Sequence, residues 1–181
     1  MFAQEVVKKE SPLRLLVGCA MEFGGDPVAE VYFTDGNTQS VKAGQGLSLA
    51  VGGEFHIPKA EMLSLRATAG YKYVTTAANN AHIRLTRIPL HLTANWMVVR
   101  NLRLSAGLAN HQNIQFNSDG LGEDVKLTGS SGPVFEIAYH GVGLTYTAIK
   151  YKDQDNLSYS ANPIGVSFTT TIRKRKTLVK S

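Results

Sequence analysis

Hydrophobic side chains recur at every second position of this chain over one stretch after another. Successive side chains of an extended strand point to opposite faces, so each such stripe predicts one face of a sheet. Leu13, Leu15, Val17, Cys19, Met21 and Phe23 form the first stripe, with Arg14, Leu16, Gly18, Ala20 and Glu22 between them. Leu47, Leu49, Val51, Gly53, Phe55 and Ile57 alternate with Ser48, Ala50, Gly52, Glu54 and His56. A third run sets Leu63, Leu65, Ala67, Ala69, Tyr71 and Tyr73 against Ser64, Arg66, Thr68, Gly70 and Lys72. The alternation continues over residues 88–96, 102–108, 133–139, 142–148 and 164–173. About eight strands result, each near the roughly 9 to 11 residues that a tilted strand needs to cross a bilayer.

The connections alternate as well. Short links are expected near residues 58–61, near 98–100 and at His140-Gly141, the last a two-residue turn with glycine in second place. Closing the hairpin there opposes Tyr139 to Val142, Ile137 to Leu144 and Phe135 to Tyr146, which keeps the apolar stripes on one face. Longer polar links follow the odd strands, near residues 35–45, 75–82, 116–132 and 153–162. Short turns at one end and long loops at the other is the layout of outer-membrane barrels. Alternation resumes from Val28 to Thr34, ahead of a turn at Asp35-Gly36-Asn37. It is read as a stiff external loop, the second reading being a projecting hairpin whose edge adds a partner's strand.

An apolar stripe can line the cavity of a soluble ligand-binding barrel or meet lipid, and the opposite face decides which. A wet surface needs many Lys, Glu and Asp. Here that face is mostly Gly, Ala, Ser and Thr with a few charges of both signs, which suits the narrow interior of an eight-stranded barrel. The expected lumen charges are Arg14, Glu22, Glu54, Arg66, Lys72, Arg103 and Glu136. Closing strands two and three over Pro58 with Ile57 opposite Leu63 sets Glu54 directly opposite Arg66. Unpaired charges are costly inside such a space, so both signs should meet there as a structural plug; a gate or proton path is the alternative. Phe23, Phe55, Tyr71, Tyr73, Trp96 and Tyr139 lie toward stripe ends, where interfacial aromatic girdles belong.

Composition agrees with this frame. Over 181 residues, 43% are hydrophobic and only 18% charged, below the share near a quarter usual in soluble domains. Nowhere do apolar residues run for the roughly 18 to 20 positions of a membrane-spanning helix. The net charge of +5 is concentrated in Arg173, Lys174, Arg175 and Lys176, read as a solvated tail. Aromatic residues lie on the apolar stripes and not among the basic ones, so no nucleic-acid partner is expected. A lone cysteine, Cys19, excludes an internal disulfide and a multi-cysteine metal site. Leu16-Val17-Gly18-Cys19 has the outline of a lipoprotein cleavage box, but its apolar lead is about three residues where a signal core needs roughly 7 to 15. Met1-Phe2-Ala3-Gln4-Glu5 is read as what remains after a signal peptide ending in Ala is removed and a start Met substituted.

The repeated pattern of Leu63-Ser64-Leu65-Arg66-Ala67-Thr68-Ala69-Gly70-Tyr71-Lys72-Tyr73, of Leu102-Arg103-Leu104-Ser105-Ala106-Gly107-Leu108 and of Gly165-Val166-Ser167-Phe168 resembles the small eight-stranded outer-membrane barrels of the OmpA/OmpX type. The resemblance covers residues 13–173. It implies periplasmic termini, a lumen network of Arg, Lys and Glu, and variable external loops. Such barrels end on an aromatic residue, whereas this chain continues through Ile172 to Ser181.

The reading is thus an all-β transmembrane barrel over 13–173, with an N-terminal periplasmic tail at 1–12 and a basic tail at 174–181. It is placed in the bacterial outer membrane as a monomer among lipid and lipopolysaccharide, with a possible protein partner at the loops. Surface interaction or envelope structure is the expected role, without cofactor or metal. Two alternatives stand beside it, a soluble barrel for a small apolar ligand and a lipid A-modifying enzyme. For the latter His111 at the outer end of strand five is the candidate base, but residue 113 is Asn and cannot be the serine nucleophile. Ser118, Ser130 and Ser131 are the nearby hydroxyls. The five His residues show no metal-ligand spacing, and Gly44-Gln45-Gly46 and Gly120-Leu121-Gly122 are loop punctuation.

Overall fold

The computed structural model describes residues 11–32, 38–75, 83–120 and 122–172. In chain order the strands are β1 (Leu13–Gly24), β2 (Pro27–Tyr32), β3 (Thr38–Lys42), β4 (Gly46–His56), β5 (Leu63–Thr75), β6 (Arg84–Val99) and β7 (Leu102–Asn117). They continue as β8 (Val125–Gly129), β9 (Ser131–Tyr139), β10 (Val142–Thr147), β11 (Lys150–Lys152), β12 (Ser158–Ser160) and β13 (Pro163–Ile172). Eight of them close a barrel in the cyclic order β1-β4-β5-β6-β7-β9-β10-β13 and back to β1. Every neighbouring pair around the ring is antiparallel. Closure leaves no free edge at barrel level, the condition for strands to sit in hydrocarbon.

The alternation decides which face turns out. Leu49 and Val51 are 67% and 60% exposed, whereas Lys72 is 0% exposed. The belt of exposed apolar residues runs right round the ring, for example through Leu15, Leu92, Leu108, Ile137, Leu144 and Val166. A soluble barrel holding an apolar ligand needs the reverse orientation, so that alternative loses its premise.

The expected turns are present. His140 and Gly141 connect β9 to β10 with positive φ of 52° and 87°, the combination that suits the twist of a two-residue hairpin. Tyr139 pairs with Val142, Ile137 with Leu144 and Phe135 with Tyr146.

Beyond the belt the wall continues on one side. β8 pairs with the far end of β7, β11 with β8, and β12 with β11. The loops expected over 116–132 and 153–162 therefore contain strands, and β6 and β7 are longer than their apolar stripes. Here the chemistry of the two faces inverts. Val74, Ile83, Leu85, Ile114, Leu127, Ile149 and Tyr151 form a buried core, while Arg84, Gln115, Lys126, Thr128, Lys150 and Lys152 are exposed. A wall surrounded by water needs a polar outside, so the same strands change pattern where the solvent changes. The segment from Val28 onward is also not a simple loop, because β2 and β3 pair as a hairpin. The Asp35-Gly36-Asn37 turn lies outside the described residues, as do residues 1–10, 76–82, Arg173 and the basic tail.

One irregularity shifts the inward positions. Between Thr86 and Ile88 the β6–β7 register slips by one residue, opposite Gln112 to Gln115. Asn113 takes a φ of +48° there, and a bulge of this kind leaves one residue unpaired and bends the strand. It turns Ile114 inward to the outer core, while β6 carries no extra residue and keeps Arg87 inward in step with Pro89 and His91.

Replacing Gly141 by Ala should destabilise the barrel by about 1 to 2 kcal/mol, the cost of a left-handed conformation for a residue with a Cβ. That Cβ would also lie 2.7 Å from the Thr169 carbonyl oxygen. Urea titration of the refolded variant against the parent chain measures the loss.

Candidate functional site

The interior is built from the polar face of each strand, and its charges gather at the two ends. Glu54 and Arg66 are register partners across β4 and β5. Arg66 donates to Glu54 Oε2 from Nε at 2.9 Å and from Nη2 at 2.7 Å. Arg14 stands opposite Glu54 on its other side. His56 Nε2 lies 2.9 Å from Glu54 Oε1, without hydrogen-bond alignment. Nearby, Arg103 pairs with Glu136 and donates from Nε to Ser105 Oγ at 3.2 Å, and Ser167 donates to Glu136 Oε2 at 2.9 Å. Buried Asn95 donates to the Ser64 carbonyl at 3.3 Å. Each carboxylate here faces a guanidinium, the arrangement that tolerates charge in a low dielectric.

The other end is closed by Lys72, which pairs with Glu22 at 2.7 Å. Lys72 also donates to the Gly44 carbonyl at 2.6 Å, and Arg87 donates through Nη2 to the Gln45 carbonyl. The turn between β3 and β4 thus folds over the outer mouth and offers its carbonyls to the two buried cations. Gly44 donates to the Gly24 carbonyl at 3.1 Å, and Ala43 to that of Asp26 at 2.8 Å. The β2–β3 hairpin is therefore tied to the lumen. His111 Nδ1 bonds with the Tyr151 hydroxyl, and the His91 and His111 rings stack at 6.4 Å.

Between the two ends lies a cavity of about 110 Å³ whose lining includes Gly18, Ala50, Thr68, Pro89, His91 and Thr145. Small side chains are obligatory in places: a Cβ on Gly52 or Gly107 would strike the carbonyl oxygen of Ala67 or Leu92 on the neighbouring strand.

All seven charged residues anticipated from the polar face occupy inward register positions, in two groups: Arg14, Glu54, Arg66, Arg103 and Glu136, and separately Glu22 with Lys72. The six anticipated aromatics are all exposed, with Phe55, Trp96 and Tyr139 near the short turns and Phe23, Tyr71 and Tyr73 near the opposite rim. His91 and Asn95 lie on the inward face that the alternation over 88–96 predicts, whereas Arg87, His111 and Tyr151 were not anticipated as members of the interior. Arg87 keeps the same β6 parity as Pro89, His91 and Asn95, which could have found it, but it lies beyond the end of the apolar stripe at Ile88. Tyr151 lies in the outer wall, where apolar and polar faces trade places.

His111 is not at an accessible rim but buried at 2% exposure. None of the candidate serines meets it: Ser118 donates to the Gly122 carbonyl at 2.6 Å, Ser130 accepts from the Lys150 amide at 2.9 Å, and Ser131 accepts from Asn110 at 3.0 Å. On β12 in the outer wall, the Tyr159 hydroxyl donates to Asp153 Oδ2 at 3.2 Å. Partial desolvation, and then that carboxylate, raise its pKa.

No family model matches the chain, and neither does any curated protein. Among solved structures it is similar to Ail, the attachment invasion locus protein of Yersinia pestis, at 10% identity and a TM-score of 0.48, covering 90% of this chain and 100% of that one. It is also similar to Neisserial surface protein A, at 13% identity and a TM-score of 0.45, covering 89% of this chain and 99% of that one. The chain itself closes eight antiparallel strands into a ring.

Glu54→Gln should cost about 3 to 5 kcal/mol, because it leaves the Arg66 guanidinium buried without its counter-charge. Adding Arg66→Met to that variant should recover most of the loss. Equilibrium unfolding of both variants in lipid vesicles reads the coupling between the two positions.

Proposed function

We propose that this chain is an integral protein of the bacterial outer membrane, a non-conducting barrel that serves surface interaction or envelope structure through its outer end. The observation that carries this reading is the pairing of an apolar belt on the outside with buried cations on the inside. Leu49 at 67% exposure and Arg87 at 0% cannot both be accommodated in water at reasonable cost. Hydrocarbon around the belt resolves the first, and the carboxylates and carbonyls of the lumen answer most of the second.

Two layers of charged side chains fill the lumen, one at each end of a cavity of about 110 Å³. An ion crossing it would have to displace two sets of ion pairs. The work of the protein is therefore assigned to the structure outside the bilayer, where the β2–β3 hairpin and the β8–β11–β12 wall stand. A lipid A-modifying site at His111 draws no support from the geometry, since its ring nitrogen is engaged with Tyr151 and no candidate serine bonds to it.

Refolding from urea should require detergent or lipid and give a band that migrates faster unboiled than boiled; a compact species without detergent would overturn the membrane placement. Val51→Arg, in the middle of the belt, should weaken folding in bilayers by about 2 to 4 kcal/mol, whereas Lys126→Leu in the outer wall should leave it nearly unchanged. Planar-bilayer recordings of the reconstituted protein should show no discrete openings, and steady unitary conductance would contradict the plugged lumen. Lipid A profiles of cells with and without the expressed chain should be identical, and a shift abolished by His111→Ala would revive the enzyme.

A further inference from the structure

Three lysines stand together on the flank of the outer wall. Lys152 on β11 is the register partner of Thr128 on β8, and Lys126 lies two residues before Thr128 on the same face. Lys150 is two residues before Lys152, and its amide donates to Ser130 Oγ at 2.9 Å. Diagonal neighbours such as Lys126 and Lys152 have side chains that start about 7 to 8 Å apart. All three lysines are exposed, whereas Tyr151 between the last two is buried.

Their remaining register neighbours are Gln115, Ser158 and Ser160. No carboxylate stands at those positions, and among the described residues none of the three lysines is in an ion pair. The acidic side chains of this end lie in the links between strands. There Asp124 accepts from Asn117 and Ser118, and Asp153 from the amides of Asp155 and Leu157. Like charges gathered on one sheet face repel, so the cluster calls for an anion from outside the chain.

Its height on the barrel says which. Lys150 follows Tyr146, an exposed side chain of the belt, by four residues. Between them the Ala148 amide donates to the carbonyl of Pro133, the register partner of belt residue Leu108. At about 3.3 Å of rise per residue, the cluster begins within roughly 13 Å of the belt along the strand, and strand tilt shortens that height. Lysine stems lie along apolar surface while their ammonium groups reach the polar boundary. Lipid headgroups occupy that level around a barrel, whereas a partner arriving from solution meets the exposed loop carboxylates of Asp119, Glu123 and Asp155 first.

We propose that Lys126, Lys150 and Lys152, with the hydroxyls of Thr128 and Ser158, bind the phosphate of a phosphate-bearing lipid in the surrounding leaflet. The ammonium groups supply charge, the hydroxyls donate to phosphate oxygens, and the acyl chains lie on the belt below. This assignment rests on the membrane placement proposed above.

The full chain, refolded in zwitterionic detergent and certified by its heat-modifiable band, is titrated with bisphosphorylated lipid A, and bound lipid is counted by native mass spectrometry. One lipid should bind saturably. Replacing all three residues together, Lys126→Gln, Lys150→Gln and Lys152→Gln, should weaken it by about tenfold or more. Lys59→Gln with Arg100→Gln, both exposed at the short-turn end, should leave it unchanged. On the wild-type chain, lipid A stripped of its phosphates should bind as weakly as the parent lipid binds the triple variant, a comparison that stands even if that variant does not refold. Undiminished binding of the stripped lipid, or by the triple variant, overturns the site. Displacement by equimolar inorganic phosphate also overturns it, as the mark of a site for the free ion. A chain that is compact without detergent overturns the membrane placement itself, whereas a heat-modifiable barrel that ignores lipid phosphate overturns this site alone.

Discussion

In hydrocarbon a peptide group has no water to turn to, so every backbone donor and acceptor of a spanning segment must be satisfied within the protein. The pairing of β1 with β13 meets that condition, because it removes the last free edge of the ring. Once the ring is closed, the rest of the structure has little freedom. Eight strands enclose a space too narrow for a continuous packed core of large side chains, which is why glycines such as Gly52 and Gly107 sit where a neighbouring carbonyl leaves no room for a Cβ. The interior is polar because the opposite face must be apolar. Its polarity then demands internal partners, supplied as Glu54 with Arg66, Glu136 with Arg103, and Glu22 with Lys72.

The same constraint relaxes where the strands leave the bilayer, and the molecule changes character there without changing secondary structure. Along β6 and β7 the inward positions pass from Asn95, Ser105 and His111 to Leu85 and Ile114. The outward positions pass from Leu92 and Leu108 to Arg84 and Gln115. Water outside permits a polar exterior, and a hydrophobic core becomes the favourable filling. The β3–β4 turn joins the two regimes, since its Gly44 and Gln45 carbonyls accept from the lysine and arginine that close the lumen. Through that turn the β2–β3 hairpin is fastened to the barrel.

How much of this was legible in the amino-acid sequence follows from the same physics. Strand number, facing and the hairpin at His140-Gly141 were readable, because a one-residue slip would turn every apolar side chain the wrong way. The Glu54–Arg66 pair was readable for the same reason, the Pro58 turn being short enough to set the register. The Glu22–Lys72 pair was not, because β4 lies between their strands and the contact exists only after closure. Arg87 keeps the period-two count of β6, but the apolar stripe on the other face stops at Ile88, with Thr86 and Arg84 beyond it, so no apolar alternation marks Arg87 as inward. Tyr151, β8 and β12 were hidden because their inward face is apolar, and a reader following lipid-facing stripes meets the opposite sign there. His111 followed β7 parity inward, but its place near the outer end invited a rim assignment that the extended wall removes.

The central claim is the inversion of faces along a single strand, and site-directed spin labelling tests it most directly. With Cys19 replaced by Ser, single cysteines introduced along β5 carry a nitroxide, whose collision with oxygen reports lipid and with a nickel chelate reports water. Leu65, Ala67, Ala69 and Tyr71 should be oxygen-accessible, Ser64, Thr68 and Lys72 should be shielded from both reagents, and Thr75 should meet the nickel chelate. Nickel access at positions 65 to 71 would place that face in water and contradict the account.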